Sequence, residues 1–310
     1  QTGTIGGAVI MGDATGELSF VNSTFSGNKV EGDDVAGGAV YNYGTPFKQV
    51  GGEYSSNTAV STGYQPTGDD PIRGGAIGGA LMLKGNPGTV FEDVVFKDNT
   101  AVARKTDTST GGVAYGGALL VDYSTGNATG VAQASDVEFH ITKDMTYSGN
   151  TVSSDSSGTQ IDTWGYHVPS VQAGGFLFLD RGSEATFKVD AGATLTIGSQ
   201  VTTDDTDSIA SSIPNTKTST NSGKHAKVAK TGEGELVVNS SFNKYYGTVE
   251  VQNGKMTVNS AWALKNAVNV ENGATLALKS FTIDSAEKSG NQDVSGNKIG
   301  GSILVKAGGT

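Results

Sequence analysis

The chain has 310 residues, of which 35% are hydrophobic and 46 are glycine, with six prolines, no cysteine, and a formal charge of −10 from 31 acidic and 21 basic residues. This balance excludes a thick globular core in favour of thin, turn-rich units, and the lack of cysteine excludes disulfide staples and thiolate metal sites. The acidic average surface excludes nucleic acid as a general partner, so an anionic ligand would need a local basic patch.

In chain order the dominant feature is a repeat. Gly-Gly-Ala-apolar stands at residues 6–9, 37–40, 74–77, 78–81 and 116–119, with the variant Gly-Gly-Phe-Leu at 174–177. An aromatic-x-x-Asn tetrapeptide interleaves with it at 25–28, 54–57, 96–99 and 147–150. The step from the first motif to the second is nearly constant, 17 residues from Ala8 to Phe25, 15 from Ala39 to Tyr54 and 16 from Ala80 to Phe96. Between the anchors lie alternating segments such as 17–22 and 89–94, so each repeat reads as three short strands separated by bends.

Such units predict an all-β solenoid, a parallel β-helix of three-stranded coils in which equivalent strands pair about 4.8 Å apart. At roughly 20–25 residues per coil the chain would make about nine to eleven coils. The glycines supply the bends, the Ala and the apolar residue after it point inward, and the aromatic fills the core. Asn28, Asn57, Asn99 and Asn150 would form a structural ladder at one corner, each amide bonding to the next coil.

The return segments 61–73, 102–115, 122–136, 151–173 and 201–229 are long and rich in Ser, Thr, Asp and Gly, and a rigid rod carries its partner-specific surface on such loops. Lys217, Lys224, His225, Lys227 and Lys230 form one basic stretch suited to sulfated or carboxylated glycans, unless they are plain solubilising charge. Tyr64, Trp164 and Tyr166, with His167, suit stacking on sugar faces, and Arg73 ends the first return segment; the competing reading of 164–167 is a hydrophobic tuck onto the rod. The acidic groups Asp33-Asp34, Asp69-Asp70 and Asp204-Asp205-x-Asp207 match no calcium-loop pattern, so neither metal nor cofactor is expected. The start, Gln1-Thr2-Gly3-Thr4, has no leader pattern, and no stretch reaches the roughly 18 apolar residues that span a bilayer. The sequence therefore reads as a mature, soluble piece of a longer protein.

The interleaved tetrapeptides from 6 to 150 closely resemble the signature repeats of the chlamydial polymorphic outer-membrane proteins and of related adhesin-type autotransporters in other Gram-negative bacteria, with Tyr54 and Tyr147 standing where the pattern has Phe. Farther on, Lys-Thr-Gly-Glu-Gly-Glu-Leu-Val-Val at 230–238 and the segment 246–258 look like the passenger-associated repeat of autotransporters, with 189–197 and 269–278 as similar units. The resemblance implies a single right-handed β-helical passenger domain over 1–310, with repeat coils at 1–150, coils carrying long insertions at 151–230 and passenger-associated coils at 231–310. It implies type V secretion to the bacterial cell surface, on the extracellular side of the outer membrane or released from it, by a translocator barrel that is not part of these residues. It further implies a virulence-type adhesin binding host extracellular-matrix glycans (glycosaminoglycans) or glycoproteins such as fibronectin through a longitudinal polar face and return loops. Self-association in aggregation and biofilm is the alternative.

Many parallel β-helices degrade polysaccharides, a reaction that needs clustered carboxylates, or carboxylates with a nearby arginine base. Here the arginines are only Arg73, Arg104 and Arg181, each on or beside a loop. The histidines His140, His167 and His225 have no serine in a nucleophile turn beside them. The expectation is a binding protein and not an enzyme, with a β-helical polysaccharide-degrading enzyme as the second alternative.

Overall fold

Period-two alternation builds the strands. Glu184–Val189 buries Ala185, Phe187 and Val189 and turns Glu184, Thr186 and Lys188 outward, as the pleat requires. The computed structural model describes residues 4–12, 16–62, 75–85, 88–104, 112–122, 135–155, 172–180, 182–212, 225–283 and 301–310. Among these residues there is no helix, and every named strand pairs in parallel within one of five sheets, of five, six, ten, four and five strands.

Neighbours within a sheet lie one full circuit of the chain apart. Val9–Gly12, Val40–Tyr43, Leu81–Lys84, Leu119–Asp122, Leu177–Leu179 and Ile209–Ser211 make one sheet in that order. The ten-stranded sheet climbs in the same way from Leu18–Ser26 and Phe47–Ser55 to Ala267–Val270 and Ser302–Val305. Stacked parallel circuits are a β-solenoid, in which each repeat buries its apolar face on its neighbours.

The two glycines of each Gly-Gly pair act differently. Gly78 has φ of +63°, which a residue with a Cβ reaches only at a cost, and it turns the chain between Gly75–Ile77 and Leu81–Lys84. Gly79 has no such φ, but a Cβ there would collide with the carbonyl oxygen of Gly117 one circuit on. In the tandem copy at 74–77, Gly75–Ile77 is itself a strand, paired with Val113–Tyr115, and Gly74 lies outside the described residues.

Two columns of side chains run through the interior beside the buried row Val40, Leu81, Leu119 and Leu177. One runs Phe25, Tyr54 and Phe96, with rings stacked at 5.0 and 5.2 Å, then Tyr147, and continues in register as Ile197, Val238, Val258 and Leu278. The other runs Phe20, Gln49, Phe91, Phe139, Phe187, Lys230, Val251 and Val270. Both change from mainly aromatic to aliphatic along the chain. The circuit length changes with them, from 43 residues between Phe187 and Lys230 to 21 between Lys230 and Val251 and 19 between Val251 and Val270. The two repeat types are thus one solenoid with a wide and a narrow filling. Burying each large side chain contributes about 1.5–3 kcal/mol.

At one corner the asparagines bond in sequence. Nδ2 of Asn28 donates to Oδ1 of Asn57, Asn57 to Asn99, and Asn99 to Asn150, at 2.8, 2.9 and 2.9 Å. Each Nδ2 from Asn57 onward also donates to the main-chain oxygen of the aromatic one circuit back, namely Phe25, Tyr54 and Phe96. One tetrapeptide therefore fills the core with its aromatic ring and accepts the next circuit's amide with that residue's carbonyl. Asn57, Asn99 and Asn150 are fully buried and their bonds are internal, so their amides serve the fold.

Candidate functional surface

The largest regular surface is the outward side of the ten-stranded sheet, where polar residues of successive circuits stand in register at about 4.8 Å. Lys48 Nζ lies 3.6 Å from Glu92, whose carboxylate is also 3.8 Å from Nδ1 of His140. Nε2 of His140 is 3.2 Å from each carboxylate oxygen of Asp190. Higher on the same face, Lys227 Nζ bridges Glu184 at 2.8 Å and Glu250 at 3.8 Å, and Lys306 meets Glu271 at 2.7 Å. Charges of opposite sign thus meet across neighbouring circuits at these points, each pair worth up to about 1 kcal/mol, while Asp136 stands directly beside Glu184 with like charge.

The acidic neighbours on this face stabilise the Lys227 cation and oppose the charge on Asp136. Burial opposes the charge on Lys227, but the hydrogen bond and charge of Glu184, with Glu250 and Asp136 behind them, raise its pKa above the ordinary lysine value. Burial, and then the charge of Glu184, raise the carboxyl pKa of Asp136.

The basic stretch is dispersed. Lys230 is no surface cation: its side chain follows Phe187 in the core column, is fully buried, and donates from Nζ to the main-chain oxygens of Thr231, Gly232 and Asn253. Lys227 spends its charge on two glutamates, and Nδ1 of His225 lies 2.9 Å from the side-chain amide of Asn266. Lys217, Lys224, Tyr64, Arg73, Trp164, Tyr166 and His167 lie outside the described residues. Of the acidic run, Asp205 pairs with Lys244 at 2.8 Å, Asp204 accepts the amide of Thr206, and Asp207 joins the asparagine corner. Among the described residues no group of three or more His, Asp or Glu side chains is placed to hold a metal ion.

Sequence reasoning missed Asp207, Lys230 as a core residue, and the meeting of Glu92, His140 and Asp190. A signal existed for Lys230. Its parity matches Val228 within Lys227–Thr231, which puts both on the inward side of the strand.

Over 98 residues, 32% of its length, the chain is 35% identical to a protein described as "Probable autotransporter YfaL" of Escherichia coli (strain K12). The match spans 7% of that protein. No family model matches the chain, and no solved structure matches it. The chain is therefore similar to part of an autotransporter and forms a parallel β-solenoid.

Proposed function

We propose that this chain is part of the passenger of a Gram-negative type V autotransporter, a right-handed β-helix displayed at the cell surface that acts as an adhesin. On this reading its coils have three sides, with the short strands before each glycine bend forming a corner. The partner is a host extracellular-matrix glycan or glycoprotein, held along the outward face of the ten-stranded sheet and by the return loops.

The observation that carries the reading is that face, whose paired charges recur in successive circuits from Lys48 to Lys306 on a fold similar in sequence to an autotransporter. Its many carboxylates, and the burial of Lys230, favour a glycoprotein or weakly charged glycan over a sulfated one. Adhesion is preferred to catalysis because His140, the residue nearest to acid–base geometry, sits on the outward side of Asp136–Ile141 with both ring nitrogens beside carboxylates. Self-association is the second reading, favoured by the half-exposed Phe281, Ile283, Leu304 and Val305 on the last strands.

The test is a matrix-protein and glycan array probed with the purified chain at low and moderate salt. Retention on a matrix glycoprotein, weakened when Lys48, Glu138 and Lys188 are changed to serine, is the expected result. A blank array with concentration-dependent association would replace adhesion by self-association.

A further inference from the structure

Asn253-Gly254 and Asn272-Gly273 occupy corresponding turns in consecutive circuits, the second one residue longer, since Val251 pairs with Val270 before them and Lys255 with Thr275 after them. Asparagine followed by glycine is prone to cyclise, because glycine puts no side chain in the way of its own amide nitrogen as that nitrogen attacks the asparagine side chain. The same dipeptide is built differently in the two circuits.

The Gly254 amide donates to Oδ1 of Asn253 at 2.7 Å, so the attacking nitrogen and the side-chain carbonyl are already in contact. The Gly273 amide instead donates to the main-chain oxygen of Gly308 at 3.1 Å, which ties that nitrogen into the next circuit. Lys230 makes the second difference. Its Nζ donates at 3.2 Å to the main-chain oxygen of Asn253, the carbonyl of the peptide whose nitrogen must lose its proton. A charged donor on an amide oxygen draws electron density from the nitrogen and acidifies its N–H. In the next circuit Val251 takes the register position of Lys230 and has no donor to offer. Burial lowers the Lys230 pKa to about 8, which leaves it cationic at neutral pH.

We propose that Asn253 is a self-modification site, at which the chain converts its own side-chain amide to a carboxylate. The Gly254 amide gives its proton to solvent hydroxide and its nitrogen bonds to Cγ of Asn253. The Cγ–Nδ2 bond breaks, and Nδ2 takes a proton from water and leaves as ammonia. Water then opens the cyclic imide at either carbonyl, leaving aspartate or isoaspartate. The modification adds one negative charge to an exposed turn whose main-chain carbonyl at Asn253 already accepts from the Lys230 ammonium.

The experiment holds the purified chain near neutral pH and follows the amide-to-acid mass gain at Asn253 and Asn272 in separate peptides. Conversion at Asn253 is expected to be about tenfold faster, equivalent to about 1.4 kcal/mol of barrier. In Lys230→Met, Asn253 slows toward the rate of Asn272, which does not change. Circular dichroism reports whether that variant folds. If it does not, the wild-type chain carries the test, because the advantage of Asn253 shrinks as pH rises past about 8 and Lys230 loses its proton. Equal rates at the two asparagines in the folded chain, or a ratio indifferent to both Lys230→Met and pH, would overturn the proposal.

Discussion

Asp207 ends the asparagine corner by accepting both the side-chain and the main-chain amide of Asn150, at 2.9 and 2.8 Å, with Oδ1, while Oδ2 accepts the amide of Gly149 at 2.9 Å. An asparagine passes the bonding on because it both accepts and donates; an aspartate only accepts. The aromatic-x-x-Asn frame stops at this circuit, and an acceptor-only residue closes the run without an unused donor. Asp207→Ala should therefore cost about 1–3 kcal/mol, the penalty for leaving buried amides unpaired, read by urea denaturation.

The same residue sets a pH dependence. Burial raises the Asp207 pKa above its ordinary 3.8 despite the hydrogen bonds from Asn150 and Gly149. A raised folded-state pKa means that the folded chain binds the proton more tightly, so this residue's contribution is fully present below about pH 3.8 and is lost as pH rises through the folded value. Asp207→Asn should remove that slope. Stability curves of the two proteins that stay parallel across the acid range would contradict it.

Tyr54 and Tyr147 place phenol groups where the repeat elsewhere has Phe, and among the described residues neither hydroxyl has a hydrogen-bond partner although both rings are fully buried. An unpaired buried hydroxyl costs roughly 1–3 kcal/mol in protein mutational series. Tyr54→Phe and Tyr147→Phe should each stabilise the solenoid by about 1 kcal/mol and raise its melting temperature, because the stacked ring stays and only the orphaned oxygen goes.

These residues show why the sequence reads well in one respect and poorly in another. Gly-Gly-Ala and aromatic-x-x-Asn recur because every circuit must solve the same bend and fill the same core, so their period exposes an all-β solenoid of parallel strands. Function depends on register, which no period reveals. Glu92, His140 and Asp190 are nearly 50 residues apart in successive steps and meet only because Glu92 pairs with His140 and the turn holding Asp190 lies one circuit on. The lysines at 227 and 230 look like loop charge until the strand is placed. One then faces outward to Glu184 and the other inward behind Phe187.

The glycine pair offers a sharper test of the bend. Gly79→Ala sets a Cβ against the carbonyl oxygen of Gly117, and backbone on both sides leaves no flexible group to move. It should destabilise by more than 2 kcal/mol, beyond the roughly 1 kcal/mol of an ordinary substitution. Gly16→Ala, with no described residue within 4 Å of the added carbon, should be neutral within about 0.5 kcal/mol. Equal effects at the two sites would show that close approach of circuits is not what the second glycine provides.

Lys230 gives the solenoid an alkaline response. Its ammonium is buried among carbonyl oxygens with no carboxylate among its bonded partners, and burial lowers its pKa from 10.5 to about 8. Below about pH 8 the group is protonated in folded and unfolded chains alike, and the folded state bears the full cost of holding the charge. Between about pH 8 and 10.5 the unfolded chain binds the proton more tightly, so stability should rise with pH through this window. The slope approaches about 1.4 kcal/mol per pH unit when one proton separates the states. The quantity to measure is the difference between wild type and Lys230→Met in urea midpoint across that window. A difference that does not change with pH would mean that the Lys230 ammonium is as well stabilised inside the solenoid as in water.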